Sequence, residues 1–149
     1  MGYESQHQTA EPFAGLQLAW SNDRLLIATA HTRTLLALPV DGEHSQATII
    51  QRFTAGEWSL LLPLLQSYPG VVSYDRLLAA RHAIPLGQSR KQVQAAQHTG
   101  HLRETLRPLR DTISRLRPKL KAFSFDIATR QGNGYVLIVQ TTSLSNGAI

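Results

Sequence analysis

The 149-residue chain contains no cysteine. That excludes a disulfide framework, a thiolate metal site and a cysteine nucleophile. Carboxylates are also few, ten Asp and Glu together. No serine, histidine and carboxylate constellation can be composed from them, so no catalytic residue is assigned and an enzyme is not expected. Charged residues make up 17% and aromatics 7%, against 42% hydrophobic residues. This is the composition of a packed domain, not of a disordered or fibrous chain. No apolar run approaches the length of a membrane span. The first twelve residues are polar and lack the charged-then-apolar layout of a signal peptide, so the expected location is cytoplasmic with no membrane partner.

What is present is an uneven charge. Residues 1–100 carry seven basic and seven acidic side chains, whereas residues 101–149 carry eight and three. The whole net charge of +5 therefore sits in the last third of the chain. A neutral body with one basic region points to a polyanionic partner, nucleic acid before anionic membrane.

Residues 1–12 and 140–149 read as tails, and residues 13–139 as one domain of ordinary size. Its first part, 13–53, holds four short strand candidates at 16–20, 24–29, 34–40 and 47–53. Turn signals separate them at Ser21-Asn22-Asp23 and Asp41-Gly42. They read as a small antiparallel sheet that needs a helical layer on one face.

The pattern changes at Thr54, where residues 54–122 become helical. Thr54 and Glu57 fit a capping box, with Phe53 and Trp58 placed as a hydrophobic staple. Trp58, Leu61, Leu62 and Leu65 follow helical spacing, and Pro63 predicts a kink or local loosening. Ser67-Tyr68-Pro69-Gly70 ends this helix. Ser73 can cap a second helix that has Asp75 in its first turn and buries Leu77, Leu78 and Ala79. Ser89 and Gln92 fit another capping box, opening a short helix that runs to Gly100.

The strongest periodicity follows. Leu102, Leu106, Leu109, Ile113, Leu116 and Leu120 form one apolar stripe of a single helix. Arg103, Arg107, Arg110, Ser114, Arg117 and Lys121 repeat the same steps one residue later, about 100° around the axis. Arg115 and Lys119 widen this basic stripe. Pro108 suits the first turn of the core of the helix, and Pro118 loosens its last. Residues 123–139 then alternate around Arg130-Gln-Gly-Asn-Gly134 as a β-hairpin. Trp20 and Trp58 read as core. His82, His98 and His101 have no supporting carboxylate or cysteine and read as exposed loop histidines, so no metal is expected. Gly132-x-Gly134 is turn chemistry, because a strand and not a helix follows it.

Four blocks carry a resemblance: Phe53-Thr-Ala-Gly-Glu-Trp-Ser-Leu-Leu-Leu, Tyr68-Pro-Gly-Val-Val-Ser-Tyr-Asp-Arg-Leu-Leu, Ile113-Ser-Arg-Leu-Arg-Pro-Lys-Leu and Thr129-Arg-Gln-Gly-Asn-Gly-Tyr-Val-Leu. In this order, over residues 13–139, the chain resembles the DNA-binding effector domain of OmpR/PhoB-type response regulators. The resemblance implies an α+β winged helix–turn–helix: an N-terminal four-stranded antiparallel sheet, a three-helix core and a C-terminal hairpin wing at 123–139. It implies that the helix holding Ile113 to Leu120 is a recognition helix in the major groove. The wing would touch phosphate or the minor groove, and Leu116, Leu120 and Tyr135 would be core.

The function implied is sequence-specific binding of double-stranded DNA and regulation of transcription, without a cofactor. The candidate DNA-binding residues are Arg107, Arg110, Ser114, Arg115, Arg117, Lys121 and Arg130. A homodimer on a repeated site fits this reading, since one recognition helix reads few bases. RNA polymerase or another transcription protein is a further partner within the family. Residues 82–101 match no motif for it, so that role is not carried onto them. The chain departs from the family in that only twelve residues precede this region in the sequence, so no receiver domain and no phosphoacceptor aspartate are expected in it. Pro118 replaces a helix former, and Gln131 stands where the wing usually has arginine, which leaves phosphate contact there to Arg130.

Two other readings compete. A basic stripe can be a solvated helix face, although this one is interrupted only by Glu104 and Asp111. Winged helices also serve as protein-interaction modules, in which case the arginines would meet an acidic partner. Charge geometry discriminates. Arg107, Arg110, Arg117 and Arg130 open on one surface favour DNA; arginines neutralised by carboxylates or buried favour the module.

Overall fold

The computed structural model describes residues 24–39 and 48–140, and the backbone of residues 16–21. The fold is mixed α+β, with two antiparallel sheets and five α-helices among the described residues. The chain divides into two compact units, Met1–Trp58 and Ser59–Ile149.

The first unit is a four-stranded meander of β1 (Leu16–Ser21), β2 (Arg24–Thr29), β3 (Thr34–Pro39) and β4 (Ile49–Arg52). Alternation buries Leu26 and Ala28 on β2 and Leu35 and Ala37 on β3. These face one another in register, Leu26 opposite Ala37 and Ala28 opposite Leu35, as the two-residue period of a strand requires. The other face is apolar too. Leu25, Ile27, Leu36 and Leu38 are half-buried there, and Ile50, opposite Leu36, is 63% exposed. The turn before β3 ends at Arg33, whose φ is +52°. Arg33 donates from Nε to the Phe53 carbonyl at 3.0 Å, and Phe53 N–H returns a bond to the Arg33 carbonyl at 2.9 Å. β4 begins two residues later than expected. Both tails, the turns at Asn22-Asp23 and Asp41-Gly42, and the Trp20 side chain lie outside the described residues.

The capping box forms as the spacing predicts. Thr54 N–H donates to Glu57 Oε1 at 2.9 Å, and Glu57 N–H donates to Thr54 Oγ1 at 3.2 Å. The Phe53 and Trp58 rings lie 6.0 Å apart, completing the staple. Helix α1 (Ala55–Ser67) starts here and runs through Pro63 without interruption.

In the second unit, β5 (Val72–Ser73) leads into α2 (Tyr74–His82). Ser73 caps α2 by accepting from Arg76 N–H at 3.4 Å. Leu77 and Leu78 are buried, but Ala79 is only half-buried and Tyr74 takes its place in the core. α3 (Leu86–Thr99) and α4 (Leu102–Thr105) precede α5 (Arg107–Leu120). A 3₁₀ turn at Lys121–Phe123 then leads to β6 (Phe125–Arg130) and β7 (Gly134–Val139). The hairpin is extended by β5, giving a sheet of order β5-β7-β6. No described helix is long and apolar enough to cross a membrane.

Further sequence expectations fail in the helical region. It holds five helices, one more than the four read from the sequence. α3 begins four residues early, with Pro85 at the cap position expected for Ser89, and the Pro85 carbonyl accepts from both Gln88 and Ser89 N–H. Proline's fixed φ suits a helix start, so Ser89 is no cap. It lies inside α3, fully buried, and its hydroxyl donates to the Asp75 carbonyl at 2.6 Å, tying α3 to α2. The long apolar stripe is not one helix either. It breaks at Leu106, because Pro108 has no N–H to offer the carbonyl four residues back. Arg103 therefore lies off α5. α5 runs through Pro118 to Leu120, and its end is closed by an i→i−3 bond from Lys121 N–H to the Pro118 carbonyl.

Asp75 gathers the start of α2. Its carboxylate accepts from the Ser73 hydroxyl, from Arg76 N–H at 2.9 Å and from Arg90 Nε at 3.1 Å. Burial pushes its pKa up, but the bonds from Ser73, Arg90 and Arg76 outweigh this and hold it below the ordinary value. A depressed folded-state pKa contributes stability that is present above the unfolded value of about 3.9 and is lost as pH falls through the folded value. The melting temperature should therefore fall below about pH 4, and Asp75→Asn should flatten that acid limb. An acid limb unchanged by the substitution would remove Asp75 from the account.

Candidate functional site

α5 is amphipathic about a buried strip of Leu109, Thr112, Ile113, Leu116 and Leu120, none more than 3% exposed. It packs on α2, α4 and β6. The six sequence-predicted residues from Arg107 to Lys121 ride on α5 or the turn that follows it. Arg107, Ser114, Arg115, Arg117 and Lys121 are exposed, and Arg110 is half-buried. Arg130, also exposed, ends β6 beside the turn and pairs in register with Gly134.

These residues do not form one uniform stripe. Arg117 is turned toward the hairpin. Its Nη2 donates to the Ile127 carbonyl at 2.7 Å, and its Nε lies 3.4 Å from Asp126 Oδ1. Asp126 Oδ1 also accepts from Ile127 N–H at 2.8 Å, which fixes the carboxylate. Arg110 lies on the same flank. Burial pushes the Tyr135 phenol above its ordinary pKa, and Tyr74 adds to this, while Arg110 and Arg117 both oppose it. The two tyrosine rings meet edge to face at 5.8 Å. Arg115 leans the other way, its Nη2 3.5 Å from Thr112 Oγ1. Ser114 and Lys121 share a cleft with Arg117, Phe125, Asp126 and Gln140.

The hairpin is held against α2 at two points. β7 pairs with β5, Val72 opposite Tyr135 and Ser73 opposite Gly134. At the tip, Tyr74 N–H donates to the Asn133 carbonyl at 3.3 Å. Gly132 takes the left-handed conformation, φ +82°, that the turn needs. Gly134 has a different task. A Cβ there would stand 1.9 Å from the Val72 carbonyl oxygen. Sequence reading found both glycines but not this close approach, nor β5 as a partner strand. It also missed Arg81, which donates from Nε to Thr112 Oγ1 at 3.3 Å.

Chemically the surface offers guanidinium forks, one ammonium and a hydroxyl, all donors suited to phosphate oxygens and base edges. In comparisons with known proteins, no family model matches the chain, and no curated protein matches it either.

Proposed function

We propose that the protein binds double-stranded DNA sequence-specifically and regulates transcription, with residues 13–139 as a winged helix–turn–helix. On this reading α1, α2 and α5 are the three core helices, α5 is the recognition helix and the β6–β7 hairpin is the wing. α3 and α4 lie between the second and third core helices. The observation that carries the proposal is α5 itself. One face is buried leucine and isoleucine, while Arg107, Ser114 and Arg115 are exposed on the rest of the helix and Arg130 is exposed at the end of β6 in the hairpin. Arginine reads guanine O6/N7 and grips phosphate, so such a helix fits a major groove.

Selection of bound sequences from random duplexes at moderate salt tests the proposal. Enrichment of one motif is expected; recovery of unselected sequence would sink it. Arg130 supplies a finer measurement. At the wing it would meet phosphate, which positions without reading sequence. Arg130→Ala should weaken binding to selected and scrambled duplexes alike, and lower the salt slope by about one. A loss confined to the selected site would instead make Arg130 a base or shape reader.

One observation favours the interaction-module reading. Arg117 already has a carboxylate, Asp126, and a carbonyl for partners. If the selection enriches nothing while an acidic partner protein protects α5, that reading replaces the first.

A further inference from the structure

Thr112 is fully buried, and its hydroxyl oxygen accepts from two guanidiniums, Arg81 Nε at 3.3 Å and Arg115 Nη2 at 3.5 Å. Arg81 stands in the last turn of α2 and Arg115 on α5. Both are charged at any physiological pH, and two cations brought to one neutral oxygen repel. Among the described residues no carboxylate pairs with either. Asp75 is paired with Arg90 and Asp126 with Arg117. Asp111, one turn before Arg115, pairs with neither arginine. A hydroxyl has only two lone pairs, whereas each guanidinium has five N–H donors and spends one here. The two forks are thus held side by side, as an anion with several oxygens requires, and no other partner among the described residues takes their remaining donors.

We propose that Arg81 and Arg115 clamp one backbone phosphate of duplex DNA. The inference rests on the DNA-binding reading and adds Arg81, from a different helix, to its surface. Position on α5 supports it. At 100° per residue, Arg115 and Arg117 stand about 160° apart around the axis. Arg117 faces the hairpin and Arg115 faces α2. A helix lying in the major groove has a phosphate backbone along each side. The hairpin flank serves one strand and the Arg81–Arg115 pair serves the other. Thr112 supplies no contact to DNA and sets the spacing of the two forks.

The experiment measures affinity for a selected duplex and a scrambled duplex across a salt series. It uses the full chain, Arg81→Gln, Arg115→Gln and the double variant, with a thermal melt of each. Either single change should weaken both duplexes about tenfold, the scale of a hydrogen bond to a charged group. The double variant should lower the salt slope by about 0.9, the value of one phosphate and not of two. Arg81→Lys, which keeps the charge, should keep the slope. Unchanged affinities with binding intact would overturn the clamp and leave the DNA reading standing. Weaker binding that tracks a lowered melting temperature at unchanged slope would also overturn it, reducing the pair to a tie between helices. A full chain that binds neither duplex would overturn both.

Discussion

Gly134→Ala is expected to cost about 3 kcal/mol or more, well beyond an ordinary surface change. The added methyl would lie 1.9 Å from the Val72 carbonyl oxygen and 2.8 Å from Ser73 Cα. Both are backbone atoms of β5, so no side chain can swing aside. β5 and β7 must part, which gives up their ladder and the edge contact of Tyr74 with Tyr135. Gly132→Ala is the control. It meets open space and carries only the strain of φ +82°, about 1 kcal/mol. Thermal melting of the two variants decides the matter. Equal losses would mean that β5 does not press on β7.

The second large effect belongs to Leu116. It is fully buried in the strip on which α5 is seated, with Leu109 and Leu120 equally enclosed. Leu116→Ala removes the packed part of the side chain and leaves a cavity, at about 2–5 kcal/mol. For a unit of this size the melting temperature should fall by about 10 °C or more. Ser114→Ala, two residues earlier and exposed, should leave it nearly unchanged. A Leu116→Ala protein that melts with the parent would mean that the apolar strip is open to a partner.

Features set by neighbours in sequence were legible, and features set by distant ones were not. The Thr54–Glu57 box and the Phe53–Trp58 staple span three and five residues, and both form as their spacing predicts. β2, the hairpin and the leucine strip of α5 were equally readable, because a two- or 3.6-residue period is a local property. Ser89 shows the limit. Its sequence fits a cap, but Pro85 starts the helix first and tertiary packing gives the hydroxyl to Asp75. The candidate site divides the same way. That α5 would be basic on its outer side was plain from spacing. That Arg117 would meet Asp126, or that Arg81 would join Arg115 at Thr112, depends on elements brought together only by folding.

The strand β5 is only two residues long, yet it shapes how the second unit is assembled. The β6–β7 hairpin closes a short turn and needs no distant segment, so it can form early. Seating it on Val72 requires closing a chain segment of about sixty residues, whose entropy is recovered only once α2 to α5 have condensed between the two ends. The hairpin therefore takes its final orientation late. It inherits that orientation from α2, through Gly134 against Val72 and Asn133 against Tyr74. The angle between hairpin and α5 is thus set by the completed helical stack, through a seat on β5 that Gly134 permits and the Arg117 bond to Ile127.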